Sequence, residues 1–242
     1  MWVLSIIIYM GRNKRITLGG YVYHALNRAN GRLRIFRKDS DFLAFEQILA
    51  EGLERFDLRI CGYCIMGNHW HLLLWPRQDG DLSAFMRWIT LTHTQRYHVS
   101  HGTIGIGHLY QGRYKSFPVQ DDSHYLTVLR YIESNPVTAG LVNRAGQWLW
   151  SSLAVRQGYE AAFALSDGPL ELPSNWPRLL HENIGREKLN RIKTSIKRGA
   201  PFGDDRWKQL TAEKLNLQST LRPRGRPKKC AGRTVEKTRN SL

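Results

Sequence analysis

His69 and His71 stand two residues apart inside the run Ile65-Met66-Gly67-Asn68-His69-Trp70-His71-Leu72-Leu73-Leu74-Trp75. On an extended strand, side chains at i and i+2 share a face. The two imidazoles therefore stand side by side, and Trp70, Leu72 and Leu74 fill the opposite face. Neutral ring nitrogens ligate divalent ions, so such a pair is half of a metal site. The competing reading is two polar residues on the less buried face of a strand. Sixty residues on, Tyr131 precedes Asn135 by four positions. Both fall on one side of a helix, where a phenol at the edge of a buried face can present its hydroxyl to a cleft.

These groups must be positioned by strands and helices, and the pattern supplies them. Gly67-Asn68 is a two-residue turn signal that makes the histidine strand the second arm of a hairpin. The expected strands are 21–27, 58–65, 69–75 and 114–120. Asp39 or Ser40 is expected to cap a helix running to about Phe56, and a second helix to cover 81–98. Asp121-Asp122-Ser123 opens a third helix over about 122–134, whose stripe is Tyr125, Val128, Leu129 and Ile132. Tyr131 lies roughly 110° off that stripe at 100° per residue. The order β-α-β-β-α-β-α predicts an α+β fold, a ferredoxin-like antiparallel sheet flanked by helices. If the third helix packs on the histidine face, His69, His71, Tyr131 and Asn135 meet. His93, His98, His101 and His108 share no tight ligand spacing and read as surface or loop residues.

The chain has 242 residues, with 36 Lys+Arg against 20 Asp+Glu and a formal charge of +16. A field of that sign favours a polyanion, nucleic acid above all, and selects the class of partner but not the activity; no small-molecule substrate is expected. Cys61 and Cys64 have zinc-knuckle spacing without a second pair, and three residues along a strand put their thiols on opposite faces. They read as reduced structural cysteines of a cytoplasmic protein. Met1 to Tyr9 is apolar but too short to span a bilayer, and translation starting at Met10 would remove it. No segment reads as transmembrane. Four regions follow: an N-terminal extension 1–17, a main domain 18–153, a mainly helical extension 154–220 and a basic tail 221–242. Arg222-Pro223-Arg224-Gly225-Arg226-Pro227 in the tail looks like an AT-hook, whose Arg224 and Arg226 would enter the narrow minor groove of A·T-rich DNA.

The combination of His69-Trp70-His71 with Arg130-Tyr131-Ile132-Glu133-Ser134-Asn135-Pro136 resembles the single-tyrosine HUH transposases. It is most similar to their REP-associated branch, as are Gly112-Arg113-Tyr114-Lys115-Ser116 and Trp148-Leu149-Trp150-Ser151-Ser152. The resemblance covers about 18–153. It implies that Tyr131 is a nucleophile, and that His69, His71 and Asn135 hold Mg²⁺ or Mn²⁺. It further implies a single-stranded or hairpin DNA substrate such as a REP element, cleaved through a 5′-phosphotyrosine intermediate. Arg28, Arg32, Arg113, Lys115 and Arg130 are the expected DNA contacts in the domain. Such a protein would act at the nucleoid, as a monomer or homodimer. Asn135-Pro136 also suits a helix start, an alternative to metal ligation. Three other functions fit the same residues: a non-catalytic nucleic-acid-binding protein, a hydrolase using a metal-activated water, and a relaxase or replication-initiator nickase.

Overall fold

Four strands form the sheet that carries the site: β1 (Val22–Arg28), β2 (Leu58–Met66), β3 (His69–Pro76) and β4 (Lys115–Val119). The computed structural model describes residues 16–222. The strand order is β2-β3-β1-β4, and every pair is antiparallel. Helix α1 (Asp39–Arg55) links β1 to β2, α2 (Asp81–Ser100) links β3 to β4, and α3 (Ser123–Glu133) follows β4. This is the expected ferredoxin-like α+β arrangement with one added helix.

The period-two pattern divides the sheet between two cores. Trp70, Leu72 and Leu74 pack on one face with Phe45, Leu49, Phe85 and Ile89 of α1 and α2. On the other, Leu73, Phe117 and Val119 meet Tyr125, Val128, Leu129 and Ile132 of α3. Helix α3 packs tightly on β2 at Gly62, where a Cβ would lie 2.3 Å from Leu129 Cδ1. A larger residue there would lift α3, and Tyr131 with it.

Three expectations are corrected. A β-bulge separates the Ile60–Leu74 and Gly62–Leu73 pairs, so Cys61 is an extra residue in β2. Both thiols are therefore buried on the α3 side of the sheet, not on opposite faces. His93 is buried rather than surface-exposed: it stacks on Phe36, and its Nδ1 lies 2.6 Å from the Tyr110 hydroxyl. The α1 cap is neither Asp39 nor Ser40. Lys38 occupies that position, and the Asp41 carboxylate accepts from the backbone N–H groups of Arg37 and Lys38.

Beyond α3 come the short helices α4 (Asn135–Thr138), α5 (Ser152–Arg156) and α6 (Trp176–Leu179), then α7 (Arg186–Arg198), α8 (Asp205–Lys214) and α9 (Gln218–Leu221). Two features tie this region to the sheet domain. Phe202 lies beside β4: its N–H donates to the Pro118 carbonyl and its carbonyl accepts from Gln120, each at 2.9 Å. Those bonds satisfy part of an otherwise open sheet edge. Glu133, fully buried, accepts from Ser152 Oγ, from Arg156 and from Trp176 Nε1. Among the described residues no helix is long and apolar enough to cross a membrane. The Met1/Met10 question and the Arg224 and Arg226 motif lie outside the described residues.

Candidate active site

The histidine strand places its side chains by register. Met66 pairs with His69 across the Gly67-Asn68 turn, and His69 and His71 face α3 from the centre of the sheet. Their ring centroids are 5.1 Å apart and nearly perpendicular. The Tyr131 ring lies edge-on to His71, 5.8 Å between centroids. Helix α3 achieves this because its apolar stripe is clamped on β2 and β4 while Tyr131 sits half-buried at the stripe's edge. A cavity of about 630 Å³ is lined by His69, His71, Tyr131 and Asn135 together with Arg28 and Lys115. The four residues singled out for chemistry thus share one cavity.

Each imidazole is presented by a neighbour. Asn68 Nδ2 donates to the Arg32 carbonyl at 3.3 Å, which turns its amide oxygen toward His69. That oxygen lies 2.6 Å from His69 Nδ1. An amide oxygen only accepts, so the His69 proton sits on Nδ1 and the Nε2 lone pair is free to ligate. His71 meets a third histidine that the sequence reading missed. His24 of β1 is fully buried, and its Nε2 lies 2.9 Å from His71 Nδ1. The two rings stack at 5.0 Å, and His24 also touches Tyr131 edge-on at 6.2 Å. His24 pairs across the sheet with Leu73, so His71 is its diagonal neighbour on the same face. His24 Nδ1 is buried and has no hydrogen-bond partner.

Electrostatics keep this cluster in the form a cation needs. Burial, reinforced by Arg28, lowers the His69 pKa to about 4. Burial lowers His24 to about 3 and takes His71 well below its usual range, with His24, His69 and Arg28 adding to the shift. The ligand lone pairs are therefore not lost to protons near neutral pH. Burial raises the Tyr131 phenol, and Arg28 opposes that rise. Arg28 pairs across the sheet with His69, which brings its charge to the cavity.

The remaining expected contacts are distributed unevenly. Arg113 and Lys115 line the cavity and are exposed. Arg32 is exposed in the loop that supports Asn68. Arg130 turns aside, donating to the Glu182 carbonyl at 2.6 Å, and does not line the cavity. Asn135 begins α4, as Asn-Pro suggests, and also lines the cavity. Its Nδ2 donates to the Tyr131 carbonyl at 2.7 Å, so its amide oxygen is the atom left for a ligand. Among the described residues no three His, Cys, Asp or Glu side chains are grouped to hold an ion. An ion here would need the two imidazoles together with an amide or a substrate oxygen.

Comparison with known proteins bears on the family and the fold. Residues 17–135 match the family described as "Transposase IS200 like". No curated protein gives a match. Among solved structures, the chain is similar to a REP-associated tyrosine transposase bound to a REP hairpin, with a TM-score of 0.50 and 19% identity. That similarity covers 68% of this chain and all of the other, and at this identity it speaks for the fold. Residues 17–135, just under half of the chain, are thus similar to the IS200-like transposases, and the fold is the one shared with that solved structure.

Proposed function

We propose that the protein is a metal-dependent single-stranded DNA endonuclease and strand transferase. In this reading it cleaves hairpin DNA such as REP elements through a 5′-phosphotyrosine intermediate. The observation that carries the reading is the seating of Tyr131 against the His71–His24 pair, in one cavity with His69 and Asn135. That the similar solved structure is bound to a REP hairpin supports hairpin DNA as the substrate class.

The donor set fits a divalent ion such as Mn²⁺ or Mg²⁺, with His69, His71 and Asn135 as its protein ligands. When bound, such an ion supplies Lewis-acid polarisation of the scissile phosphate. Two imidazoles favour Mn²⁺, since Mg²⁺ prefers all-oxygen shells. The buried, partnerless His24 Nδ1 belongs to the same design. Two neutral rings share one proton between His24 Nε2 and His71 Nδ1. Only with that proton on His71 does His71 Nε2 keep its lone pair, and His24 must then carry its own proton on the unpartnered Nδ1. His24 acts here as a positioning residue, accepting from His71 and fixing its tautomer.

Tyr131 Oη attacks phosphorus in line. The Oη–P bond forms, the P–O3′ bond breaks, the phenolic proton leaves to solvent, and the departing 3′-oxygen takes up a proton. Because the new ester keeps the energy of the old one, attack by another 3′-hydroxyl rejoins DNA without ATP. Burial works against the ionised phenol, and Arg28 offsets part of that cost while also attracting the phosphate. The tyrosine and the histidines of one chain share one cavity, so the site is complete within a chain that acts as a monomer or homodimer, in the cytoplasm at the nucleoid. Arg113 and Lys115 hold the backbone beside the cut, Arg32 and Arg130 contact flanking DNA, and Arg224 and Arg226 of the tail grip duplex.

The test is a panel of single-stranded hairpins incubated with Mn²⁺, with Mg²⁺ or with chelator. The proposal expects cleavage with either metal, none with chelator, and none for Tyr131→Phe, which still binds. Cleavage that survives Tyr131→Phe would indicate an activated water instead.

A further inference from the structure

The active-site cavity does not end at Tyr131. A second cavity, of about 420 Å³, adjoins it and shares Arg113, Lys115 and Ile196 as lining. Its far wall is the end of α7, with Lys197, Arg198 and Gly199. Gly199 closes α7 in the left-handed conformation, φ +72°, and packs on the Ser116 carbonyl of β4, which sets that helix end beside the sheet edge. The lining of the two cavities contains five cations, Arg28, Arg113, Lys115, Lys197 and Arg198, and neither Asp nor Glu. Arg113, Lys115 and Lys197 are exposed. Arg198 is partly committed, since its guanidinium donates to the Thr220 and Ser219 carbonyls. Ile16, Phe117, Pro118 and Leu217 give the second cavity apolar surfaces between these charges.

The geometry points to this second cavity as the seat of the single strand that continues from the scissile phosphate, with α7 as one wall of its channel. The inference rests on the endonuclease reading and extends it to the C-terminal region, which lies outside the family-matched residues 17–135. Position, charge and size select the occupant. The cavity shares Arg113, Lys115 and Ile196 with the site where the cut would occur, so a strand leaving one site meets the other. Its charge suits a polyphosphate, and unstacked bases rest on apolar walls between basic rims, the arrangement that single-strand sites use. Its size suits single nucleotides and not a duplex. The chain's own remaining tail is the wrong occupant by charge, since residues 223–242 carry seven Lys and Arg against Glu236 alone.

The test uses the full chain carrying Tyr131→Phe, so that binding is measured without cleavage. Two probes are compared by fluorescence anisotropy across a salt series: a bare DNA hairpin, and the same hairpin with oligo(dT) flanks. On the flanked probe, Lys197→Ala and Lys115→Ala should each flatten the slope of log affinity against log salt by about 0.7, one single-strand phosphate contact. On the bare hairpin Lys197→Ala should change nothing. Arg55→Ala, on the opposite side of the sheet, is the control and should leave both slopes alone. An unchanged slope for Lys197→Ala on the flanked probe would overturn the inference. So would an equal loss on both probes, which would assign α7 to the hairpin itself. Covalent adduct formation is measured separately on the chain with Tyr131 intact. A slope loss without adducts would keep the channel and discard the nuclease, and adducts without a slope loss would do the reverse.

Discussion

Replacing Glu133 should be among the most damaging single changes in the protein, although its carboxylate does not face the cavity. The side chain is fully buried two residues after Tyr131. Oε1 accepts from Arg156 and from Ser152 Oγ at 2.5 Å, and Oε2 accepts from Trp176 Nε1 at 2.7 Å. Glu133→Ala leaves the Arg156 guanidinium, 22% exposed, without its carboxylate, and strands the indole N–H. Breaking a buried pair from one side costs about 3–5 kcal/mol. The bond from Arg156 to the Cys61 carbonyl, 2.8 Å, survives and pulls the figure to the low end. The orphaned indole adds about 1–3 kcal/mol. A loss of about 4 kcal/mol follows, which for a chain of this size is a fall in Tm of about 8–16 °C. Glu133→Gln keeps the volume but turns amide hydrogens toward donors, and should cost about 1.5–3 kcal/mol. Guanidinium chloride unfolding, read by Trp fluorescence, gives both numbers. If both variants stay within about 1 kcal/mol of the parent, Glu133 does not anchor the Tyr131 helix, and the reasoning fails.

Other consequences are quickly checked. His24→Phe should weaken Mn²⁺ binding about 10–100-fold, read by electron paramagnetic resonance. His24→Gln, whose amide oxygen can still accept from His71, should recover part of that loss, and an unaltered affinity in His24→Phe would remove its positioning role. Acid should destabilise the fold from about pH 6.5 downward. Burial lowers both His93 and His24 to about 3, so between those values the unfolded chain binds protons that the native chain refuses. Stability then rises with pH through that window, by up to about 1.4 kcal/mol per pH unit for each group. Unfolding midpoints at pH 7 and pH 5 test this, and His93→Phe should shrink the difference; equal midpoints in the parent would contradict it. Deleting residues 223–242 should weaken binding to A·T-rich duplex more than to G·C-rich duplex of equal length, and equal losses would refute minor-groove reading by Arg224 and Arg226.

The parts legible in the sequence were those set by a local period. Alternation on β3 put His69 and His71 on one face, and the helical stripe of α3 put Tyr131 at its edge; neither depends on a distant contact. His24 depends on one. A lone histidine in Val22-Tyr23-His24-Ala25-Leu26 looks like any buried polar residue until the β1–β3 register makes it the diagonal neighbour of His71. Its signal was present only as a polar residue central in an apolar strand. Asn68 was read for its turn and not for its amide, because its role needs the Arg32 carbonyl to orient it. The bulge at Cys61 defeated a simple count along β2, since one inserted residue reverses the facing of everything before it. His93 was misplaced for a related reason: its burial is created by Phe36 and Tyr110, which are distant in sequence and adjacent in space.

The most direct measurement is the identity of the residue that carries DNA after reaction. Flanked hairpins are incubated with Mn²⁺, the protein is digested, and the nucleotide-bearing peptide is sequenced by mass spectrometry. A phosphodiester should appear on Tyr131 alone, through the 5′ end of the released strand. Cleavage products with no modified peptide, or a modification on any other residue, would contradict it.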